Sequence, residues 1–469
     1  MDIHDLSAAA LSEMIRSRRL SCCDVMIHFL DRIERLNGTL NAIVSLRDRQ
    51  ELLADADLAD QDLRQGHWRG PLHGFPFAIK DLSEAAGLPC SYGSRIHAGF
   101  LPDYDDIHVA RIRAAGAILI GKTNAPEMGL GSQTYNEVFG VTRNPWNTAF
   151  TVGGSSGGAA AALAARLVPL ADGSDMMGSL RNPAAFTNIV GYRPSYGLVP
   201  SLSNELFLGT LAVNGPMGQS VADVEMLLAI QSGRDPRDPF SWSPQASAPD
   251  YLALPLRIGW LGDYNGYLPF EPGVLDLCRQ SLETFRQLGM EVEDVAIGFD
   301  MDRLWRAWKV LRHALVAGGQ ANDYADPARR ALMKPELVWE IENGQALSAA
   351  DFYDASMTRS DWYRRMLELF ERYDALILPT TQVFPFPAEW HWPEWIDGRS
   401  MDTYHRWMEV VIGPTMAGLP VAAMPAGFSA DHRPTGIQII GRPQGDRQLL
   451  ALAKAYETAS GWLDRKPAL

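Results

Sequence analysis

Residues 151–191 read TVGGSSGGAAAALAARLVPLADGSDMMGSLRNPAAFTNIVG, and this stretch contains two turns rich in glycine and serine. The first turn, residues 153–158, places Ser155 and Ser156 among glycines, and the second, residues 172–180, presents Ser179. Each turn leads into a helix-like segment. Glycine permits backbone conformations that a Cβ would forbid, and turns that open onto helix N-termini leave backbone N–H groups free to bind negative charge. We interpret residues 151–191 as the catalytic core of a serine hydrolase.

The segments around this core alternate between helix and strand patterns. Residues 71–84, PLHGFPFAIKDLSE, form an apolar strand-like run bounded by Pro and Gly. Residues 108–122 read as a helix followed by a buried strand, and residues 273–295 as a helix, a glycine stop and a strand. Such alternation predicts a layered α/β architecture.

We expect residues 1–469 to form one domain. Within it, residues 1–65 are predicted to be an N-terminal helical segment, whose second helix stops at Asn37-Gly38. Residues 270–372 are predicted to be mostly helical and are a candidate cap over a substrate pocket. The Pro-, Asp- and Ser-rich residues 234–255 indicate a surface excursion, since a strand pattern resumes directly after them.

The composition excludes several classes of protein. With 46% apolar and 21% charged residues, the chain is typical of a soluble globular protein. Its net charge of −14 argues against nucleic acid as a partner. The four cysteines show neither metal-ligand spacing nor a disulfide framework. The N-terminus is too polar for a signal peptide, and no apolar run is long enough to span a membrane. We therefore expect a cytoplasmic protein that does not bind membranes.

Lys80 ends the apolar run FPFAIK, a context that predicts burial. A desolvated lysine can lose its proton near neutral pH and act as a base, whereas arginine stays protonated. The alternative is a lysine whose stem lies along the strand while its amine reaches water. The run alone leaves both interpretations open.

Several catalytic motifs can be compared with the glycine turns. GGSSGG lacks the Gly-Lys-Ser/Thr of a phosphate-binding loop, and the chain has no HExxH, CxxC or EF-hand spacing, so neither metal nor cofactor is expected. Residues 153–157 match the nucleophile elbow G-x-S-x-G, which would make Ser155 the nucleophile and require a histidine downstream. Candidate histidines are His391, His405 and His432. That interpretation leaves Ser179 without a role.

A second interpretation uses both serines and the lysine. GGSSGG, the turn DGSDMMGSLRNPAAF and the strand AIKD, together with LIGKTNAPE, FGVTRNPWN, GPMGQSVAD and the late block GLPVAAMPAGF…PTGIQIIG, resemble the amidase signature family over nearly the whole chain. The resemblance implies a central mixed, twisted β-sheet covered on both faces by α-helices. It also implies an amidase that cleaves the C–N bond of carboxylic acid amides.

The resemblance implies a catalytic role for three residues. Ser179 would be the nucleophile, and Ser155, following a cis peptide bond, would relay a proton from Ser179 to Lys80. Lys80 would be the general base. A scaffold that had lost its activity would lack one of these residues, and all three are present.

Residues next to the nucleophile would have supporting roles. The backbone N–H groups of Met176, Met177, Gly178 and Ser179 would form the oxyanion hole. The catalytic residues would be held in place by three neighbours, Ser156, Asp175 and Arg181. Asp175 and Arg181 would do so through charge-assisted hydrogen bonds. The family usually has two glycines before the nucleophile, and Met177 replaces the first, so its thioether is predicted to narrow or line the acyl pocket.

The substrate is less closely defined than the chemistry. Aromatic residues at 301–395, with Met128, Tyr135, Met177 and Phe207 as predicted pocket residues, indicate a small-molecule amide with an apolar or aryl group. The same site would accept carbamates or aryl esters. A glutaminase-like component of an amidotransferase is a further alternative, although the loop TNAPEMG differs from the version typical of that class. We expect a monomer or a homodimer.

Overall fold

The structure, a computed structural model, describes residues 2–244 and 255–469. Its α-helices are α1 (Ala8–Arg16), α2 (Cys22–Leu40), α3 (Arg49–Arg64), α4 (Ile107–Ala114), α5 (Gly157–Ala164), α6 (Arg181–Thr187), α7 (Val221–Gln231), α8 (Val274–Gln287), α9 (Met301–Gly319), α10 (Ala321–Ala325), α11 (Pro327–Arg330), α12 (Pro335–Gln345), α13 (Ala349–Arg372), α14 (Ile412–Met416) and α15 (Asp446–Ser460). None of the helices in this described part combines the length and the apolar character needed to cross a bilayer.

The strands are β1 (Ile43–Val44), β2 (Pro76–Lys80), β3 (Ile118–Thr123), β4 (Tyr135–Asn136), β5 (Gly140–Val141), β6 (Arg143–Asn144), β7 (Asn147–Thr151), β8 (Ala171–Asp175), β9 (Val190–Arg193), β10 (Val213–Gly218), β11 (Arg257–Trp260), β12 (Glu291–Asp294), β13 (Ala375–Pro379), β14 (Trp395–Ile396), β15 (Arg399–Ser400), β16 (Val421–Phe428) and β17 (Pro434–Ile440). The short pairs β4–β5, β6–β7 and β14–β15 are small antiparallel ribbons.

An eight-stranded sheet forms the centre, in the order β12-β11-β13-β17-β16-β9-β10-β8. β11 pairs in parallel with β12 and β13, and the remaining neighbours are antiparallel, so the sheet is mixed. Helices flank it, which confirms the predicted fold class. One detail differs from a single sheet: β2 and β3 pair in parallel and, with β1, form a separate three-stranded sheet. β2 lies against β8, the edge strand of the large sheet.

The N-terminal segment is helical, as predicted, but α2 continues past Asn37-Gly38. It begins at a capping box in which Ser21 and Asp24 bind each other's backbone N–H groups, and it ends where Asn41 adopts a left-handed conformation. The Asn37 side chain instead accepts the N–H groups of Ala42 and Ile43. This contact ties the helix end to β1, which is the strand that the helical prediction omitted.

Residues 270–372 contain α8 to α13 and the strand β12, so they are mostly helical. They do not act as one unit. α8 packs on the central strands β16 and β17, while α9 packs with α12 and α13. The second group reaches the turn before Ser179, because Arg312 of α9 donates to the Met176 sulfur at 3.5 Å.

Two large apolar cores place the site between them. One core contains α2, α3 and the wholly buried α5, and the other contains α8, α9, α13 and the middle of the large sheet. The turns before α5 and α6 lie where β8 meets the small sheet. Side chains in that position are shielded from water on both sides.

Candidate active site

Lys80 lies at the end of β2 and is fully buried. Its Nζ contacts the hydroxyl oxygens of Ser155 at 2.9 Å, Ser156 at 2.8 Å and Ser174 at 3.0 Å. Burial lowers the pKa of the Lys80 amine to about 7, against the opposing effect of the Asp172 and Asp175 carboxylates. The interpretation in which the amine reaches water is therefore wrong.

The first glycine turn places Ser155 beside this amine. The peptide bond between Gly154 and Ser155 is cis, as the resemblance implies. The carbonyl of Gly153 accepts the Thr134 hydroxyl at 2.8 Å, and the carbonyl of Gly154 accepts the Ser132 hydroxyl. The turn is thus held by the loop that precedes β4.

Glycine is required where α5 begins. A Cβ at Gly157 would lie 2.1 Å from Thr134 Oγ1, and one at Gly158 would lie 2.2 Å from the backbone nitrogen of Asn124. Real Cβ atoms do not approach so closely, because packing at these distances is strongly repulsive. The two glycines let α5 start directly against the 124–134 loop, which fixes the serines at its N-terminus.

The second turn is built on the Asp175 carboxylate. Asp175 accepts the N–H of Gly178 at 2.9 Å and that of Leu180 at 3.1 Å, and it binds Arg181 through two contacts of 2.9 Å each. Arg193 also lies 3.3 Å from it. All three charged side chains are fully buried. Pairing with Arg181 and Arg193 holds the pKa of Asp175 well below its usual range despite its burial.

Gly178 differs from the other three residues of the predicted oxyanion hole, because its N–H already has an acceptor. Its φ of +81° belongs to the left-handed region, and its N–H is already donated to Asp175. The N–H groups of Met176, Met177 and Ser179 have no hydrogen-bond acceptor within residues 2–244 and 255–469. These three donors remain available to an oxyanion, whereas Gly178 serves the shape of the turn.

Ser179 is 7% exposed and is linked to the first turn, because its carbonyl accepts the N–H of Ser156 at 3.2 Å. Among the described residues, no hydrogen bond joins the Ser155 and Ser179 hydroxyls. Catalytic hydrogen bonds are often long before substrate binds. The structure therefore brings the two serines to one site without closing the contact between them.

The histidines of the elbow interpretation lie elsewhere. His391 contacts Tyr135 at 3.0 Å, His405 is buried beside Thr403, and His432 occupies an exposed turn. Lys80, and no histidine in the described ranges, contacts Ser155. The geometry disfavours the elbow interpretation.

Of the predicted pocket residues, Met128 lies near Ser155. It precedes Gly129, where an added Cβ would lie 3.5 Å from Ser155 Oγ, and it packs against a small apolar cluster that contains Tyr404. Tyr135 contacts His391, whose ring adjoins Trp392, and Trp392 packs against the same cluster.

Met177 and Phe207 are placed differently from the prediction. Met177 packs into the main apolar core, and the partly exposed Met176 is the methionine that contacts Arg312. Phe207 is 66% exposed and packs edge-on against Phe240. The Glu205 carboxylate accepts three backbone N–H groups of this loop, which holds it at the surface.

The sequence interpretation missed Ser174 and Asp172. Both side chains contact Lys80: Ser174 through its hydroxyl, and Asp172 by accepting the Lys80 backbone N–H at 3.0 Å. They lie two residues apart on β8, so they share one face of the strand. In the sequence ADGSD the two polar residues alternate with Gly173, a pattern that could have indicated a shared strand face. Because glycine suggests a turn, the segment was interpreted as a turn.

Metal-binding side chains come together at one place in the described ranges, where Asp2, His4 and Asp5 are close to one another. Asp5 there is already bound by Lys466 at 2.7 Å and by Arg166 at 3.2 Å. These residues lie outside the serine–lysine site and do not contact it.

Comparison with known proteins defines the class of this chain. The family described as Amidase matches residues 24–450. The chain is similar to an acylamidase from Rhodococcus erythropolis, with 33% identity over 479 residues covering 100% of this chain and 98% of the relative. It is also similar to a glutamyl-tRNA(Gln) amidotransferase component from Chloroflexus aurantiacus, with 32% identity over 498 residues covering 100% of this chain and 99% of the relative.

A solved structure agrees with these relatives. A bacterial aryl acylamidase of the amidase signature family superposes with a TM-score of 0.91 at 30% identity, covering 98% of each chain. The chain therefore belongs to the amidase signature family. It is a hydrolase that acts on carbon–nitrogen bonds other than peptide bonds.

Proposed function

We propose that the protein hydrolyses amides with an apolar or aryl group through an acyl-enzyme on Ser179. The contact that carries this proposal is the fully buried Lys80 amine at 2.9 Å from Ser155 Oγ. With its pKa near 7, a large fraction of this amine is unprotonated at neutral pH. An unprotonated lysine has a lone pair that can accept a proton from a hydroxyl.

The reaction follows from these positions. Lys80 takes the proton of Ser155 while Ser155 takes that of Ser179, and the Ser179 oxygen attacks the substrate carbonyl carbon. The N–H groups of Met176, Met177 and Ser179 stabilise the negative oxygen that forms. The relay then returns the proton to the leaving amine as the C–N bond breaks, and water hydrolyses the resulting ester by the same steps.

Ser156 and Ser174 orient the amine in this scheme. A neutral lysine has two N–H groups to donate, and the hydroxyls of Ser156 and Ser174 are available acceptors. With these two contacts made, the lone pair of Lys80 is left facing Ser155. The arrangement thus favours proton transfer from Ser155 to Lys80.

The proposed preference for apolar substrates rests on the side chains near the serines. Met128, next to Gly129 and Ser155, packs against the apolar cluster that contains Tyr404, and the partly exposed Met176 belongs to the nucleophile turn. The names of the similar acylamidase and aryl acylamidase agree with such a preference. Carbamates and aryl esters are the second candidate class, because the same relay and oxyanion donors act on any activated carbonyl.

An amidotransferase role is the alternative from another class, and the similarity to a glutamyl-tRNA(Gln) amidotransferase component favours it. Against it stand the net charge of −14 and the loop TNAPEMG. We propose that the protein works in the cytoplasm on small molecules, as a monomer or a homodimer. Light scattering after gel filtration measures the assembly.

The direct test is to trap the acyl-enzyme. A matched set of acyl p-nitroanilide, primary amide, carbamate and aryl ester, with glutamine beside them, would be mixed with the protein, and the modified peptide identified by mass spectrometry. We expect the acyl group on Ser179 and the fastest turnover with the anilide. A label on Ser155 would contradict the proposal, and rapid hydrolysis of glutamine alone would favour the amidotransferase role.

A further inference from the structure

Asp172 lies behind the catalytic lysine and is fully buried. Its Oδ1 accepts the backbone N–H of Lys80 at 3.0 Å. Its Oδ2 lies 3.4 Å from Nε2 of His108, which is also fully buried. This separation is longer than a well-formed hydrogen bond, and neither atom has a hydrogen-bond partner in the described part of the chain.

Asp172 differs in this respect from Asp175, the other carboxylate that acts on Lys80. Asp175 is compensated by two arginines, with Arg181 at 2.9 Å and Arg193 at 3.3 Å. Asp172 has no arginine or lysine side chain paired with it among the described residues. In a water-excluded interior such a charge is weakly screened. Asp172 is accordingly the largest influence that raises the pKa of Lys80 against the effect of burial.

Three further titratable side chains lie near Asp172. Asp106 and His108 come from the start of α4, and Lys122 comes from β3. Asp106 accepts the N–H of Glu84, and Lys122 donates to the carbonyl of Ser83. Asp106 and Lys122 therefore have their own partners, and none of the three side chains touches the Lys80 amine in the described part of the chain. Of these side chains and Asp172, Asp172 is the one that contacts Lys80, through the Lys80 backbone N–H.

We propose that Asp172 is a positioning residue of the catalytic base, because one of its oxygens fixes the main chain at Lys80 and its charge governs how readily the amine releases a proton. This inference rests on the proposed function of Lys80 as the general base. The two effects can be separated. The hydrogen bond needs only an acceptor, whereas the electrostatic effect needs the negative charge.

Asp172→Asn separates them, since the amide oxygen still accepts the Lys80 N–H while the charge is lost. The acid limb of kcat/KM for an acyl p-nitroanilide would be recorded from about pH 5 to about pH 9. Without the carboxylate the protonated amine is less stable, so the limb is expected to move to lower pH by roughly one unit. Asp172→Ser, which also offers an acceptor without charge, should shift the limb in the same direction if the asparagine variant does not fold.

Asp446→Asn is the matched control, because Asp446 is a buried carboxylate that binds Ser195 and Tyr192 and does not act on Lys80. The acid limb of kcat/KM for Asp446→Asn should coincide with that of the wild type. An Asp172→Asn limb that also coincides with the wild type would overturn the inference. A shift to higher pH would overturn it as well.

The failure of the proposed function gives a different result. If Lys80→Met keeps the wild-type limb, Lys80 is not the base and the proposed function fails whatever Asp172 does. If the lysine variant loses the limb but Asp172→Asn leaves it unmoved, only the inference about Asp172 fails.

Discussion

The Asp175–Arg181–Arg193 cluster and the Lys80 cluster are both buried next to Ser179, yet only the first contains paired opposite charges. In the first cluster the carboxylate is held ionised, since the pKa of Asp175 is lowered by its arginines. In the second, three hydroxyls surround an amine whose pKa falls to about 7. Similar burial thus produces a permanent charge in one cluster and a titrating base in the other.

The difference lies in what each group contacts. A carboxylate with two guanidinium partners and backbone N–H donors gains more from being charged than burial costs. An amine that contacts only neutral groups, here three hydroxyls and the Ser174 carbonyl, has no such gain, so desolvation dominates. The first cluster therefore serves to hold the nucleophile turn, and the second is suited to move protons.

The largest expected effect is on activity alone. Ser179→Ala removes the proposed nucleophile, and kcat/KM should fall by about 10⁴-fold or more, with an unchanged melting temperature. The control is Ser281→Ala, another buried serine, whose hydroxyl donates to the carbonyl of Cys278 in α8. Substantial activity in Ser179→Ala would end the proposed assignment.

The next effect is on stability. Asp175→Ala leaves Arg181 and Arg193 buried without their partner, which should lower the free energy of unfolding by about 3–5 kcal/mol. Denaturant titration measures it. Glu13→Ala, which breaks the exposed pair with Arg16, is the control and should change stability far less. Equal losses in the two variants would show that the buried cluster does not hold the turn.

The lysine cluster should make the stability of the folded protein depend on pH. The unfolded chain keeps Lys80 protonated up to its ordinary pKa of about 10.4, whereas the folded chain loses this proton near pH 7. Between these values the unfolded state binds more protons, so wild-type stability should rise with pH relative to Lys80→Met, by up to about 1.4 kcal/mol per pH unit. Parallel stability curves for the two proteins would contradict the lowered pKa.

The smallest expected effects concern the pocket. Met128→Ala should change kcat/KM for an anilide by several-fold, since removing an apolar contact costs about 1 kcal/mol or more. Phe207→Ser should leave it unchanged because that side chain lies on the surface. Similar losses for both variants would mean that the 201–211 loop closes over the substrate.

Much of the site was predictable because its residues lie in local patterns. The glycine turns, the apolar run ending at Lys80 and the order of motifs along the chain are all visible in the sequence. The mixed sheet with flanking helices was predicted from the resemblance to the amidase signature family. These features depend on residues that are neighbours along the chain or that recur in a fixed order.

Two errors came from side-chain hydrogen bonds within a turn, and the other omissions from contacts between distant segments. The Gly178 N–H is donated to the Asp175 carboxylate, and the Glu205 carboxylate accepts the backbone N–H of Phe207. The approach of His108 to Asp172 depends on how α4 packs beside β8. The separation of β1, β2 and β3 into their own sheet likewise depends on pairing that no local pattern specifies. The position of His108 and the separate sheet are decided by tertiary packing.

The central claim is that Lys80 is a neutral base in the folded protein. The most direct measurement is the rate of acyl-enzyme formation as a function of pH, in the wild type and in Lys80→Met. We predict a wild-type rate that falls about tenfold per pH unit below an apparent pKa near 7, and a lysine variant with little activity and no such limb. A limb near the ordinary lysine value, or a wild-type limb in the variant, would contradict the account.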